Sequence, residues 1–179
     1  MSRYAAFLRG INVGGHRVKN SELRALFEAM GLADVDTFRA SGNVIFSADG
    51  EPTSDLGERI EAGLEQSLGY GVATFLRTAG EFHEIAHAEP FAAEHVEASA
   101  GRLQVAMLDA PPATSVRNEV LSLASDDDRL AFGARELYWL PSGGMLESAL
   151  ELKLIEQLLG PMTLRTKNTI EQIAARHFS

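Results

Sequence analysis

Two spacings of apolar residues alternate along this chain, and their order predicts an α+β fold. Residues 4–9 are apolar on both faces apart from Arg9, as a central strand would be. A glycine turn follows. Asn20 or Ser21 then caps a predicted helix, with Glu22 in its first turn. Leu23, Leu26, Phe27 and Met30 keep one helical face, and Gly31 stops it. Val35 to Arg39 and Val44 to Ser47 read as two strands joined around Ala40-Ser-Gly-Asn43, a hairpin signal. Leu56, Ile60, Leu64 and Leu68 stripe a second helix that ends at Gly69, and Val72 to Arg77 closes the unit as a strand.

The pattern then repeats. Thr78-Ala-Gly-Glu81 is a Thr-x-x-Glu capping box that opens a short helix, ended by Pro90. Residues 89–101 read as a loop. Leu103 to Leu108 is a strand, and Pro111-Pro112 breaks it. Thr114 caps a helix through Val116, Val120 and Leu123. Asp126-Asp-Asp128 reads as a solvated turn, followed by a hairpin of Leu130 to Phe132 and Leu137 to Leu140. Ser148-Ala-Leu-Glu151 is a further capping box before Leu152, Ile155, Leu158 and Leu159. Gly160-Pro161 stops that helix, Met162 to Arg165 is a last strand, and Asn168 caps a terminal helix. The order β-α-β-β-α-β thus occurs twice. It predicts a tandem pair of ferredoxin-like (βαββαβ) halves packed together. The halves are residues 1–78 and residues 79–179, the second with an extra connecting helix and a terminal helix.

Composition narrows the chemistry. The chain has 179 residues, 45% hydrophobic and 23% charged, within the range of ordinary globular proteins. Cysteine is absent, which excludes disulfides, thiolate metal sites and cysteine nucleophiles. No apolar run approaches the ~20 residues of a membrane span, and the first residues do not make a signal peptide. A cytoplasmic protein is the expectation. The net charge of −9 argues against nucleic acid and acidic membranes as partners. It is unevenly spread, however. Arg3, Arg9, Arg17, Lys19 and Arg24 face Glu22 alone within residues 1–24, a balance of +4. Such a patch can attract a small anion or an acidic surface; scattered surface charge is the plainer reading. No cofactor motif is present, and nothing in the chain fixes an oligomeric state.

The motifs each have a bland and a chemical reading. Gly10-x-x-x-x-Gly15 is followed by His16 and Arg17, not the Lys-Ser/Thr of a phosphate-binding P-loop, so a nucleotide triphosphatase is not indicated. The Gly14-Gly15 amides with Arg9 or Lys19 could hold an anion; a turn needing positive φ explains the glycines equally. Ser41-Gly42-Asn43 is most simply a hairpin turn, though a turn does not need the serine. His83-Glu84-Ile85-Ala86-His87 fits the His-Glu-x-x-His pattern of zinc hydrolases. Pro90 and the lack of a third histidine at the right spacing weigh against it, so no metal site is assigned; a zinc-dependent hydrolase using His83, Glu84 and His87 stays the alternative to a binding module, and single-stranded nucleic-acid binding by fold analogy the third reading. Phe7 and Phe46 could lie on adjacent strands as base-stacking aromatics, but no RNA-binding motif surrounds them.

Leu8-Arg-Gly-Ile-Asn-Val-Gly-Gly15, Lys19, the helix Glu22-Leu-Arg-Ala-Leu26 and Ser41-Gly-Asn-Val-Ile-Phe46 together resemble the bacterial family called domain of unknown function 1697. Thr78 to Phe91, ending in Glu-Pro-Phe, and Arg165 to Ile170 fit the same resemblance. It implies the tandem ferredoxin-like fold and no settled activity. Two departures stand out. The family's Arg-Asn-Trp-Asn-Thr is Arg165-Thr-Lys-Asn168-Thr169 here, and its Gly-x-x-x-Ser-Lys-Leu is Gly144-Met-Leu-Glu-Ser148-Ala-Leu150. The expected ligand-binding set is therefore Arg9, Asn12, Gly14, Gly15, Lys19, Ser41, Gly42, Asn43, Arg165, Asn168 and Thr169. It would serve a small-ligand-binding or protein-interaction module with no established catalysis, for which a small anion is one possible ligand.

Overall fold

Two four-stranded antiparallel sheets carry the architecture, each followed by helices. The computed structural model describes residues 1–100 and 102–179. The chain runs through β1 (Ser2–Leu8), α1 (Asn20–Ala29), β2 (Ala33–Thr37), β3 (Asn43–Ala48), α2 (Thr53–Leu68) and β4 (Thr74–Thr78). After α3 (Ala79–His87) and α4 (Ala93–Ala98) come β5 (Gln104–Leu108), α5 (Thr114–Leu121), β6 (Asp128–Phe132) and β7 (Glu136–Pro141). A 3₁₀ turn (Met145–Glu147), α6 (Leu152–Leu159), β8 (Met162–Thr166) and α7 (Lys167–His177) complete it. The sheet orders are β2-β3-β1-β4 and β6-β7-β5-β8, so corresponding strands of the two sequence halves take corresponding places. Residues Met1–Glu84 with Arg176–Ser179 form one unit, and Ile85–Ala175 form the other. Among the described residues, no helix is long and apolar enough to cross a membrane.

In the first unit, strand alternation sorts side chains onto two faces. Tyr4, Ala6, Leu8, Val44, Phe46 and Leu76 form one core with Leu23 and Phe27 of α1 and Leu56, Ile60 and Leu64 of α2. Phe7 points the other way and stacks on Phe82, which stacks in turn on Phe178, with ring centroids 6.0 and 4.7 Å apart. Phe7 and Phe46 therefore lie on opposite faces, and both are fully buried. They offer no platform for stacking bases, so the RNA reading loses its aromatic surface. In the second unit, Ala106, Leu108, Val120, Leu137, Ile155 and Met162 make the equivalent core.

Several local expectations shift. Residues 93–98, read as loop, form the short helix α4, which buries none of its residues; Gly101, at the end of that expected loop, lies outside the described residues. The N-cap of α1 is Lys19, whose amide donates to Glu22 Oε2 over 2.8 Å. Thr114 is the first residue of α5, whose cap is Ala113. Asn168 sits inside the first turn of α7, and Thr166 Oγ1 accepts the Thr169 amide instead, at 3.2 Å. Ser148 does not cap α6; its hydroxyl donates to Asp128 Oδ1 at 2.6 Å. Asp128 is correspondingly no solvated turn residue. It is buried and also accepts Trp139 Nε1–H at 2.8 Å, which satisfies a carboxylate that would otherwise be costly to bury. The Thr78–Glu81 box forms as expected, with Glu81 Oε2 accepting the Thr78 amide at 2.8 Å and the Glu81 amide reaching Thr78 Oγ1 at 3.3 Å.

Candidate functional site

The loop from β1 to α1 and the hairpin loop from β2 to β3 meet at the same end of the first sheet. Leu8 N–H donates to Gly42 O at 2.8 Å, and Arg9 N–H donates to Ala73 O at 2.9 Å. Gly42 has φ +75°, and a Cβ there would lie 3.0 Å from Leu8 Cβ and 3.2 Å from Leu8 O. Only glycine lets the two chains approach this closely. The hairpin closes through Phe38 N–H to Asn43 O at 3.0 Å.

Asparagines hold the loops in place. Asn12 takes a left-handed conformation at φ 58°, which asparagine tolerates better than most residues. Its Nδ2 donates to Ala40 O and its Oδ1 accepts the Val18 amide, both at 2.8 Å. One side chain thus fixes the end of its own loop and ties it to the hairpin. Asn20 Nδ2 adds a longer tie to Arg39 O at 3.3 Å. Asn43 is buried, and its Nδ2 donates to Phe38 O and Ser41 Oγ, both at 2.9 Å.

Eight of the eleven expected residues are brought together here: Arg9, Asn12, Gly14, Gly15, Lys19, Ser41, Gly42 and Asn43. Arg9 is half-buried, while Gly14, Gly15, Lys19 and Ser41 are exposed. Gly14 and Gly15 have φ +61° and +94° with open space around their Cα atoms. His16 packs on Tyr70, with ring centroids 4.0 Å apart, and anchors the loop's outer turn. Two further cations stand at this end outside the expected ligand-binding set. Arg17 is exposed on the same loop, and Arg39 sits at the hairpin with φ 60°, its guanidinium 5.5 Å from the Phe38 ring centroid. The basic balance of residues 1–24 was a signal for Arg17. Nothing local marked Arg39, which reads as the end of a strand.

Arg165, Asn168 and Thr169 belong to the second unit, and local bonds account for them there. Arg165 is buried on β8, and its Nη1 donates to Thr163 Oγ1 and Leu164 O, each at 2.8 Å. Burial lowers its pKa to about 10, so it remains cationic at neutral pH. Thr169 Oγ1 lies 2.9 Å from Thr166 Oγ1, within the cap of α7. Asn168 is exposed, and its Oδ1 is 3.5 Å from Gln172 Nε2. His83, Glu84 and His87 all fall on α3 and are exposed. No group of three or more His, Cys, Asp or Glu side chains that could hold a metal ion occurs among the described residues.

A solved structure with the same overall course is that of a conserved bacterial protein, SP0830, from Streptococcus pneumoniae. It is 26% identical to this chain, with a TM-score of 0.79 over 98% of each chain. None of the curated proteins matches the chain. The model of the family described as "Protein of unknown function (DUF1697)" matches residues 1–138, a range that includes the whole loop cluster and stops before Arg165. By that match the chain belongs to the DUF1697 family.

Proposed function

We propose that this chain is a cytoplasmic binding module that holds a small anion, a phosphate or carboxylate group, at the loop cluster of its first unit. Each half, residues 1–78 and 79–179, is read as ferredoxin-like, because the strand order and the β-α-β-β-α-β sequence of elements agree with that fold. Arg9, Arg17 and Lys19 supply positive charge, and the Gly14 and Gly15 backbone allows close approach. Ser41 adds an exposed polar side chain at the hairpin. The observation that carries the reading is the double bridge of Asn12. It fixes a cation-rich loop against the hairpin without using a cation to do so. Arg17 and Lys19 form no ion pair among the described residues.

Titration calorimetry with inorganic phosphate at low salt tests this. Saturable binding is expected with a dissociation constant of about 1 mM or tighter. It should weaken at least about tenfold in the Arg17→Ala/Lys19→Ala double variant and be lost in Arg9→Ala. Raising the salt should weaken it further, because exposed charges are screened. Binding unchanged in both variants would place the anion elsewhere.

A further inference from the structure

The second unit holds a cavity of about 560 Å³ that none of the expected site residues lines. Its walls come from the end of α3, the Pro90-Phe91 turn, α4, Leu103 and the first turn of α7. One charged side chain in it is buried. Lys167 is only 7% exposed, and its Nζ donates to Ala86 O at 2.6 Å and to Glu171 Oε1 at 2.8 Å. Its own amide donates to Leu103 O at 2.8 Å, which fixes the base of the side chain. An ammonium has three N–H donors. Two are used, and the third has no protein partner among the described residues.

The remaining lining sets the chemistry of an occupant. Phe91, Val96 and Leu103 are apolar, and Val96 is 39% exposed although α4 places it on the cavity. Glu89, Glu97 and Glu171 also line the space, so its balance is acidic despite Lys167. Glu171 already pairs with Lys167, which leaves Glu89 and Glu97 as the carboxylates for an incoming cation. A free anion would meet three carboxylates and suits this cavity poorly. We infer that the cavity binds a small molecule of about dipeptide size that carries an ammonium group, an amide carbonyl and an apolar side chain. The ammonium faces Glu89 and Glu97, the carbonyl accepts the third Lys167 N–H, and the apolar part covers Phe91 and Val96. The size fits the usual range of ligand cavities, about 300–1,000 Å³.

The test uses phenylalanyl-leucinamide as probe on the full chain, with binding followed by calorimetry. Saturable binding below ~5 mM is expected. N-acetylation of the probe removes its positive charge and should weaken binding about tenfold. Lys167→Met should weaken it by a similar factor. Because Lys167 is buried, Val96→Arg at the exposed lip serves as a second variant that keeps the fold and fills the cavity mouth; it should abolish binding. Absence of saturable binding, or equal binding by the acetylated probe or by Val96→Arg, would overturn the inference.

Discussion

The same place in the two units is built from different charged and polar groups. Leu8 ends β1 and donates its amide to Gly42 O; Leu108 ends β5 and donates its amide to Arg135 O. The next residue is Arg9 in the first unit and Asp109 in the second. Across from the penultimate residue of each strand, Phe7 faces Asn43 while Met107 faces Glu136. The loops differ as well. Residues 9–19 form a long glycine-containing turn, whereas residues 109–113 form a short link stiffened by Pro111 and Pro112. Even the ties are exchanged. In the second unit, guanidinium groups do the holding: Arg117 Nη2 donates to Ala134 O at 2.9 Å and Arg135 Nη1 to Asp109 O at 3.1 Å. In the first, neutral asparagines do it. A shared scaffold therefore carries neutral asparagine ties at this end of one unit and guanidinium ties at the same end of the other, which is why the proposed anion is placed on the first.

What the units share should be the most costly to disturb. Leu76-Arg77-Thr78 and Leu164-Arg165-Thr166 end corresponding strands, and each arginine donates Nη1 to the preceding carbonyl at 2.8 Å. Arg77 is fully buried and Arg165 is 8% exposed. Arg77→Ala is expected to cost about 3 kcal/mol through the cavity and the lost hydrogen bond to Leu76 O, and Arg165→Ala about 2 kcal/mol. Urea unfolding measures both; a cost under ~1 kcal/mol for Arg77→Ala would contradict the shared role.

The loop of the first unit comes next. Gly42→Ala forces a Cβ toward Leu8 at positive φ and should cost about 2 kcal/mol. Asn12→Ala strands the Val18 amide and removes one tie to the hairpin, for about 1 kcal/mol, and it should also weaken phosphate binding. Arg135→Ala, which breaks an exposed tie in the second unit, should cost under ~0.5 kcal/mol and leave phosphate binding unchanged. If the two loop ties cost the same, the contrast between neutral and charged ties has no structural weight.

The smallest effect concerns the last residues, which belong to the first unit. Arg3 Nε donates to His177 O at 3.2 Å, and the His177 Nε2 atom lies 3.7 Å from Asp36 Oδ2. Burial lowers the His177 pKa, opposed by Asp36 and assisted by Arg176 and Arg3. With the folded pKa below the unfolded 6.5, the unfolded chain binds more protons between the two values. Stability from this group is therefore complete above pH 6.5 and declines as the pH falls below it. Thermal melts between about pH 5.5 and 7.5 should show this slope in the parent chain and a flatter one in His177→Asn. An identical slope in both would assign it to other groups.

Much of the scaffold was legible because it rests on periodicity. The stripes of Leu23 to Met30 and Leu56 to Leu68 mark α1 and α2 without ambiguity. α4 was not legible, because Ala93 to Ala98 bury nothing and so leave no stripe. The caps slipped where two good capping residues compete. Thr166 wins over Asn168 because the pairing of β8 with β5 carries the strand as far as Thr166. Asp128 looked solvated within a run of three aspartates, and only its distant partners Trp139 and Ser148 explain its burial. At the site, Arg9 and the glycines could be read from the first loop. The role of Asn12 could not, since its partner Ala40 is remote in sequence. Lys167 showed in the sequence only as part of the departure from the family's Arg-Asn-Trp-Asn-Thr, and its burial on α7 had no local signal.

The most direct test of the cationic site is a phosphate titration followed by backbone amide shifts at low salt. Saturating shifts confined to residues 9–19 and 38–43 are expected, with none at residues 109–113 or 133–135. Shifts centred on the loops of the second unit, or no saturating shift at all, would contradict it.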